Sequence, residues 1–285
     1  AERVAGLGGY FEEGLWLAAG ATTKDAEELR RFEELTRSMV AVDAEGRRRF
    51  DLPIERSSVM GRGLDRISAT EWAASNGLDG ERIRWYLEYA TRDDFGASLG
   101  DTSAWALLHY FTSRASLDTR ESASFLTWPE GNGRLVQGLL ETSGVRVETG
   151  EVCLGVEPGA DGCTVTSANS GKGEMTEWRA DAVILATPQF VTRRLLREDP
   201  AREARDSMRY GPWVVANLHL RERPANRGFP YAWDSVIHGS ESLGYVDASH
   251  QLDRGGAKDT VWSWYLPITD SDERAARAKM LLLGW

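Results

Sequence analysis

Few residues in this chain are placed for chemistry, and most familiar arrangements are missing. The four histidines, His109, His219, His238 and His250, have no metal-ligand spacing, and each reads as a surface or satisfied buried imidazole. Cys153 and Cys163 form neither a C-x-x-C pair nor a disulfide framework. No G-x-S-x-G is present, so a serine nucleophile has no elbow to sit on. Gly171-Lys172-Gly173 lacks the upstream glycine of a phosphate-cradling Walker loop. Gly131-Asn132-Gly133 opens like a dinucleotide turn, but Val136 stands where the third glycine belongs. A tight turn into a helix explains it equally well. What the chain does hold is tryptophan, 11 in all. Trp carries much apolar area and one donor, which suits either a Trp-rich core or a pocket walled by flat rings. Two stretches could build such a wall. Trp213 to Leu220 alternates, with Trp213, Val215, Asn217 and His219 on one face. Val261 to Tyr265 places Trp262 and Trp264 on one face and Ser263 and Tyr265 on the other.

The elements that must position these residues change along the chain. The first part reads as helices. Thr22 and Asp25 suit a helix start ahead of Leu29, Phe32, Leu35 and Met39. Ser68 to Glu71 is a capping box before Trp72-Ala73-Ala74, and Gly77 stops that helix. Ile83 to Ala90 follows, then Ala104 to Phe111, apolar on nearly all sides and capped by Asp101-Thr102-Ser103. In the middle, Trp128 to Gly133 is a loop, followed by a helix with Leu135, Leu139 and Leu140 that Gly144 closes. Strands are expected at Val145 to Glu148, Val152 to Val156 and Cys163 to Ser167, with Pro158 to Gly162 turning the hairpin. Ala182 to Ala186 is a continuous apolar run of the kind buried on both faces of a sheet, and Pro188 suits the first turn of a helix. Beyond Leu220, Leu243 to Val246 reads as another strand, and Met280 to Trp285 as an apolar helix end.

Composition narrows the partners. The 285 residues suffice for one large or two modest domains. A formal charge of −10 repels phosphate backbones, so nucleic acid is excluded as the expected partner and a small-molecule substrate is favoured. No run of about 18 apolar residues is present, so no membrane span is expected. Two thiols point to a reducing compartment, and the cytoplasm is the expected location, with export left open. The start, Ala1-Glu2-Arg3-Val4, has no initiator Met or signal-like pattern, as in a processed or excised chain.

Three segments in order carry a resemblance: Leu126-Thr127-Trp128-Pro129-Glu130-Gly131-Asn132-Gly133 before Leu135, then Val145-Arg146-Val147 to Glu151-Val152 with its hairpin, then Ala180-Asp181-Ala182-Val183-Ile184-Leu185-Ala186-Thr187-Pro188. Together they resemble flavin amine oxidases, protoporphyrinogen oxidases and phytoene-type desaturases, at the stretch where the chain returns to the FAD domain. Tyr89 to Gly96 and the Leu107 to Phe111 helix resemble a bacterial subgroup of FAD-dependent oxidoreductases. The resemblance covers nearly the whole chain. It implies an α+β fold in which 1–127 is the helical part of a substrate domain, 128–205 a returning, Rossmann-like segment of the FAD-binding domain, and 206–285 the substrate domain's mixed sheet with the start of a C-terminal helix. The family's G-x-G-x-x-G turn and its closing FAD segment are not found; Gly6-Leu7-Gly8-Gly9 does not fit. The resemblance therefore implies a central fragment, inactive alone and holding FAD weakly or not at all.

The same resemblance assigns roles. Val152 would meet the adenine through its main chain, or else sit in the core; Thr187 and Pro188 would stand at the flavin end of a strand. Trp213 and Val215 would line an apolar slot with Asn217 as its polar handle, and Trp262 and Trp264 would form either a second wall or core. No catalytic residue emerges. Val215 falls where many amine oxidases carry a lysine near flavin N5, and a valine neither holds a water nor receives a proton. The expected activity is oxidation of a C–N or C–C bond in a mostly apolar small molecule by hydride transfer to flavin. The alternative is a flavin-fold protein that has lost catalysis and serves as a binding module or scaffold.

Overall fold

Local side-chain chemistry starts the helices. In the computed structural model, which describes residues 22–117, 127–224, 233–236, 238–251, 258–269 and 272–282, Thr22 accepts the Asp25 amide at 3.2 Å while Asp25 accepts the Thr22 amide at 2.7 Å. This reciprocal cap opens α1 (Thr23–Met39). Ser68 and Glu71 do the same for α2 (Ala69–Ser75) at 3.1 and 2.8 Å. Helix α3 (Glu81–Phe95) begins at Gly80, which has no side chain to cap it. The buried Glu28 carboxylate of α1 takes the Gly80 amide at 2.9 Å and the Asp79 amide at 3.3 Å instead. Ser103 caps α4 (Ala104–Thr112) by accepting the Ala106 amide at 3.2 Å.

The apolar faces of these helices meet in one core. Phe32, Trp72, Tyr86, Leu87, Leu107 and Leu108 are all buried in it. Phe32 presents its ring edge-on to Trp72, Tyr86 and Phe111, with centroids 6.4, 6.1 and 4.8 Å away.

The chain divides into two compact units, one formed by Ala1–Gly131 and Gly211–Trp285, the other by Asn132–Tyr210. The second unit begins with α5 (Gly133–Ser143), ended by Gly144 in the left-handed region. A three-stranded antiparallel sheet follows: β1 (Glu151–Gly159), β2 (Gly162–Asn169) and β3 (Met175–Ala180), in that order. The short helices α6 (Gln189–Leu195) and α7 (Arg202–Asp206) complete it. Strand β3 was not expected from the sequence, because Met175-Thr-Glu-Trp-Arg-Ala is largely polar and lies at the sheet edge.

Two expected strands are corrected. Val145 to Glu148 and Ala182 to Ala186 form no strand. Ile184, expected to be buried on both faces, is 93% exposed. A strand is completed only by a neighbour's N–H and C=O groups, and no described residue pairs with either segment. The apolar pattern is a demand for partners, and among the described residues the demand is unmet.

The sheet of the first unit consists of β4 (Trp213–Leu220), β5 (Asp234–Ser235), β6 (Tyr245–Asp247) and β7 (Thr260–Pro267), ordered β4-β7-β6-β5. A mixed sheet is expected from the sequence; all described pairings here are antiparallel. Helix α8 (Glu273–Leu282) follows. Gly6 to Gly9, Leu126 and the last three residues lie outside the described residues. The fold is α+β, with separate helical and antiparallel-sheet regions.

Candidate functional site

The exposed face of β4 is the most open part of the first unit's sheet. The register sets Trp213 opposite Pro267, Val215 opposite Tyr265, Asn217 opposite Ser263 and His219 opposite Val261, so these eight residues share one face. Val215 is 54% exposed, and Asn217 and His219 also reach solvent. Ser263 donates its hydroxyl to Asn217 Oδ1 at 2.7 Å, which turns the Asn217 amide NH2 outward as a donor on this face. Trp213 is seated at the end of β4 by close approach to Gly96, the residue that terminates α3. The structure thus brings Trp213, Val215 and Asn217 together on a surface that is apolar at one end and polar in the middle.

Trp262 and Trp264 stand on the opposite face, across from Leu218 and Ala216. Trp262 stacks on Tyr245 with centroids 3.9 Å apart and planes at 19°. Its indole Nε1 is buried, with no hydrogen-bond partner among the described residues. The register therefore separates these two tryptophans from the Val215 face.

In the second unit, Val152 lies on β1 opposite Ala168, with its side chain 51% exposed. Strand β1 is at the sheet edge, and its outer side carries one isolated parallel bridge, Val156 to Leu196. Among the described residues, the main chain near Val152 has no other strand beside it. Thr187 and Pro188 lead into α6, with Pro188 in the capping position. The Thr187 and Thr192 hydroxyls are 2.7 Å apart, so the Thr187 side chain is engaged with its own helix. The Gln189 amide donates to the Tyr210 hydroxyl at 2.8 Å.

Two polar groupings had no sequence signal. Asp247 is fully buried and accepts from Ser249 Oγ at 2.5 Å and Thr260 Oγ1 at 2.6 Å, with Arg223 Nε 3.3 Å from its other oxygen. This paired carboxylate ties the ends of β4, β6 and β7. Asp234 of β5 accepts the Tyr89 hydroxyl of α3 at 3.5 Å, and Asp93 accepts the Tyr110 hydroxyl of α4 at 3.5 Å. Burial first, and the charge of Asp93 second, push the Asp234 carboxyl up to about 6.

Comparison with known proteins supplies the class. Residues 21–272 match the family model for flavin containing amine oxidoreductases, so the chain belongs to that family. Its fold is similar to that of putrescine oxidase: the wild-type enzyme bound to putrescine superposes with a TM-score of 0.60 at 14% identity, over 93% of this chain and 56% of that one. A double mutant of the same oxidase gives a TM-score of 0.62 at 13% identity, over 93% and 56%. The PF1083 protein from Pyrococcus furiosus gives a TM-score of 0.52 at 17% identity, over 75% and 53%. This chain spans just over half the length of the solved structures it resembles. No curated protein matches the sequence significantly. Among the described residues, no helix is long and apolar enough to cross a membrane.

Proposed function

We propose that this chain is the substrate-binding sheet, with its helices, and the returning flavin-domain segment of an FAD-dependent oxidoreductase. In that reading 1–127 and 206–285 belong to the substrate domain and 128–205 to the FAD-binding domain. The reaction is oxidation of a C–N or C–C bond in a mostly apolar small molecule. The observation that carries the proposal is the open β4 face bearing Trp213, Val215 and Asn217, in a chain of the flavin amine oxidoreductase family.

The described residues fit FAD as flanking contacts. The main chain at Val152 lies on an edge strand, where an adenine edge finds N–H and C=O groups. Thr187 and Pro188 end an apolar segment next to a helix start. Bound flavin supplies the hydride acceptor. Trp213 and Val215 offer an apolar wall that orients the substrate and keeps water away. The Asn217 amide donates to a substrate oxygen or nitrogen while Ser263 fixes its orientation. Val215 takes no part in proton transfer. Trp262 and Trp264, on the other face, support the sheet from behind. The unpaired segments at 145–148 and 182–186 suit strands completed by further flavin-domain chain, and FAD held firmly requires that completion.

The whole protein, purified, is expected to carry flavin absorption and to turn over with an artificial electron acceptor. A colourless protein without flavin refutes the proposal; flavin without turnover favours the binding-module alternative. This chain alone is expected to lose FAD on dialysis, and stoichiometric retention would overturn that part.

A further inference from the structure

The first unit holds a cavity of about 540 Å³, within the size range of small-molecule sites. None of Trp213, Val215 and Asn217 lines it. Its walls come from α3, the segment before β6, the end of β7 and α8. Leu266, Ile268 and Met280 give it an apolar side. Two cations interrupt that lining, Arg92 of α3 and Lys279 of α8.

Arg92 is underused as a donor. Its hydrogen bonds both leave from Nη2, one to the main-chain carbonyl of Glu241 and one to that of Pro267 at 3.4 Å. Among the described residues, its Nε is buried without a partner and its Nη1 makes no hydrogen bond. Also among the described residues, neither Arg92 nor Lys279 lies within ion-pair distance of a carboxylate. Glu88 and Glu241 line the cavity too. However, Glu88 Oε2 accepts the Leu99 amide at 2.7 Å, and Glu241 meets Arg92 through its main chain. A half-buried guanidinium served by two neutral carbonyls lacks the anion that would balance it.

We propose that this cavity is a binding site for a medium-chain aliphatic carboxylate, with the carboxylate on Arg92 and Lys279 and the chain against Leu266, Ile268 and Met280.

A carboxylate gives the guanidinium a charged acceptor, and such hydrogen bonds are roughly twice as strong as those between neutral groups. Lys279 adds a point charge on a flexible stem. The aliphatic chain leaves water for the apolar side of the cavity, which a small inorganic anion would leave wet. An alkylammonium offers the same chain but sets its charge beside two cations. The proposal is independent of the flavin reading, because binding is measured on this chain without cofactor.

The test is a titration of the chain, isotope-labelled at its methionine methyls, with hexanoate and separately with hexylammonium. Hexanoate should shift the Met280 methyl resonance and leave those of Met39, Met60, Met175 and Met208 in place. A dissociation constant on the order of 1 mM is expected for so small a ligand. Hexylammonium should not shift Met280 at the same concentrations. Arg92→Gln should weaken hexanoate binding by about tenfold or more, and Lys279→Gln by roughly twofold to fivefold. Ala275→Trp, which fills the cavity from α8 without removing a charge, should abolish the shift. No Met280 shift with hexanoate, an equal shift with hexylammonium, or unchanged hexanoate affinity in Arg92→Gln or Ala275→Trp would overturn the proposal. If Arg92→Gln does not fold, Ala275→Trp and Lys279→Gln decide. Loss of the shift in the first and weakening in the second support the site, and unchanged affinity in either overturns it.

Discussion

Gly96 is where a single methyl group tests how β4 is seated. It ends α3 at φ +60°, with its amide bonded to the Arg92 carbonyl at 3.1 Å. A Cβ at this position would stand 2.6 Å from Trp213 Nε1 and 3.3 Å from Trp213 Cε2. Gly96→Ala therefore carries two costs. Holding an L side chain in the left-handed region costs about 1–2 kcal/mol. Displacing the indole adds the ~1–3 kcal/mol typical of an overpacked site. Gly46 separates the two, since it sits at φ +77° and a Cβ added there would meet nothing within 4 Å. Gly46→Ala should then lose only about 1–2 kcal/mol, and Gly96→Ala about 2–5 kcal/mol in total. Urea denaturation followed by tryptophan fluorescence measures both. Replacing Trp213 by Leu in the Gly96→Ala background should recover part of the difference. Equal losses in the two alanine variants would show that Trp213 is not seated on the end of α3, and the placement of the β4 face would fall with it.

Two further outcomes follow from the helical region. Leu87, fully buried in the core, should cost about 2–5 kcal/mol when cut to alanine, and a loss below about 1 kcal/mol would mean the site collapses freely. The Ser58 hydroxyl, donating at 2.6 Å, is the main reason the Asp43 carboxyl is held down at about 2, with the Arg47 amide next. A depressed carboxyl contributes stability above its ordinary value of 3.8 and loses it as pH falls toward 2. Ser58→Ala should bring the Asp43 titration, followed by carboxyl NMR shifts, back toward 3.8; an unmoved titration would contradict the assignment.

The parts of this fold legible in the sequence are those governed by near neighbours. The Thr22–Asp25 and Ser68–Glu71 caps are written within four residues, and both form. The alternation from Trp213 to Leu220 foretells which residues share a face, because the side-chain period of a strand is fixed. The Ala182 to Ala186 run shows the limit: its apolar pattern specifies burial, but burial needs strands that none of the described residues place beside it. The Tyr89–Asp234 contact joins residues 145 apart and leaves no periodic trace. Likewise, alternation placed Trp262 and Trp264 together, yet only the pairing of Ala216 with Trp264 puts them on the face away from Val215.

Whether Val215 meets the flavin ring is decided by replacing it with lysine in the whole protein. An ammonium introduced on the open β4 face beside the ring should shift the flavin absorption spectrum or change its reoxidation rate. A spectrum and turnover both identical to the unaltered enzyme would place Val215 away from the flavin and contradict the proposed site.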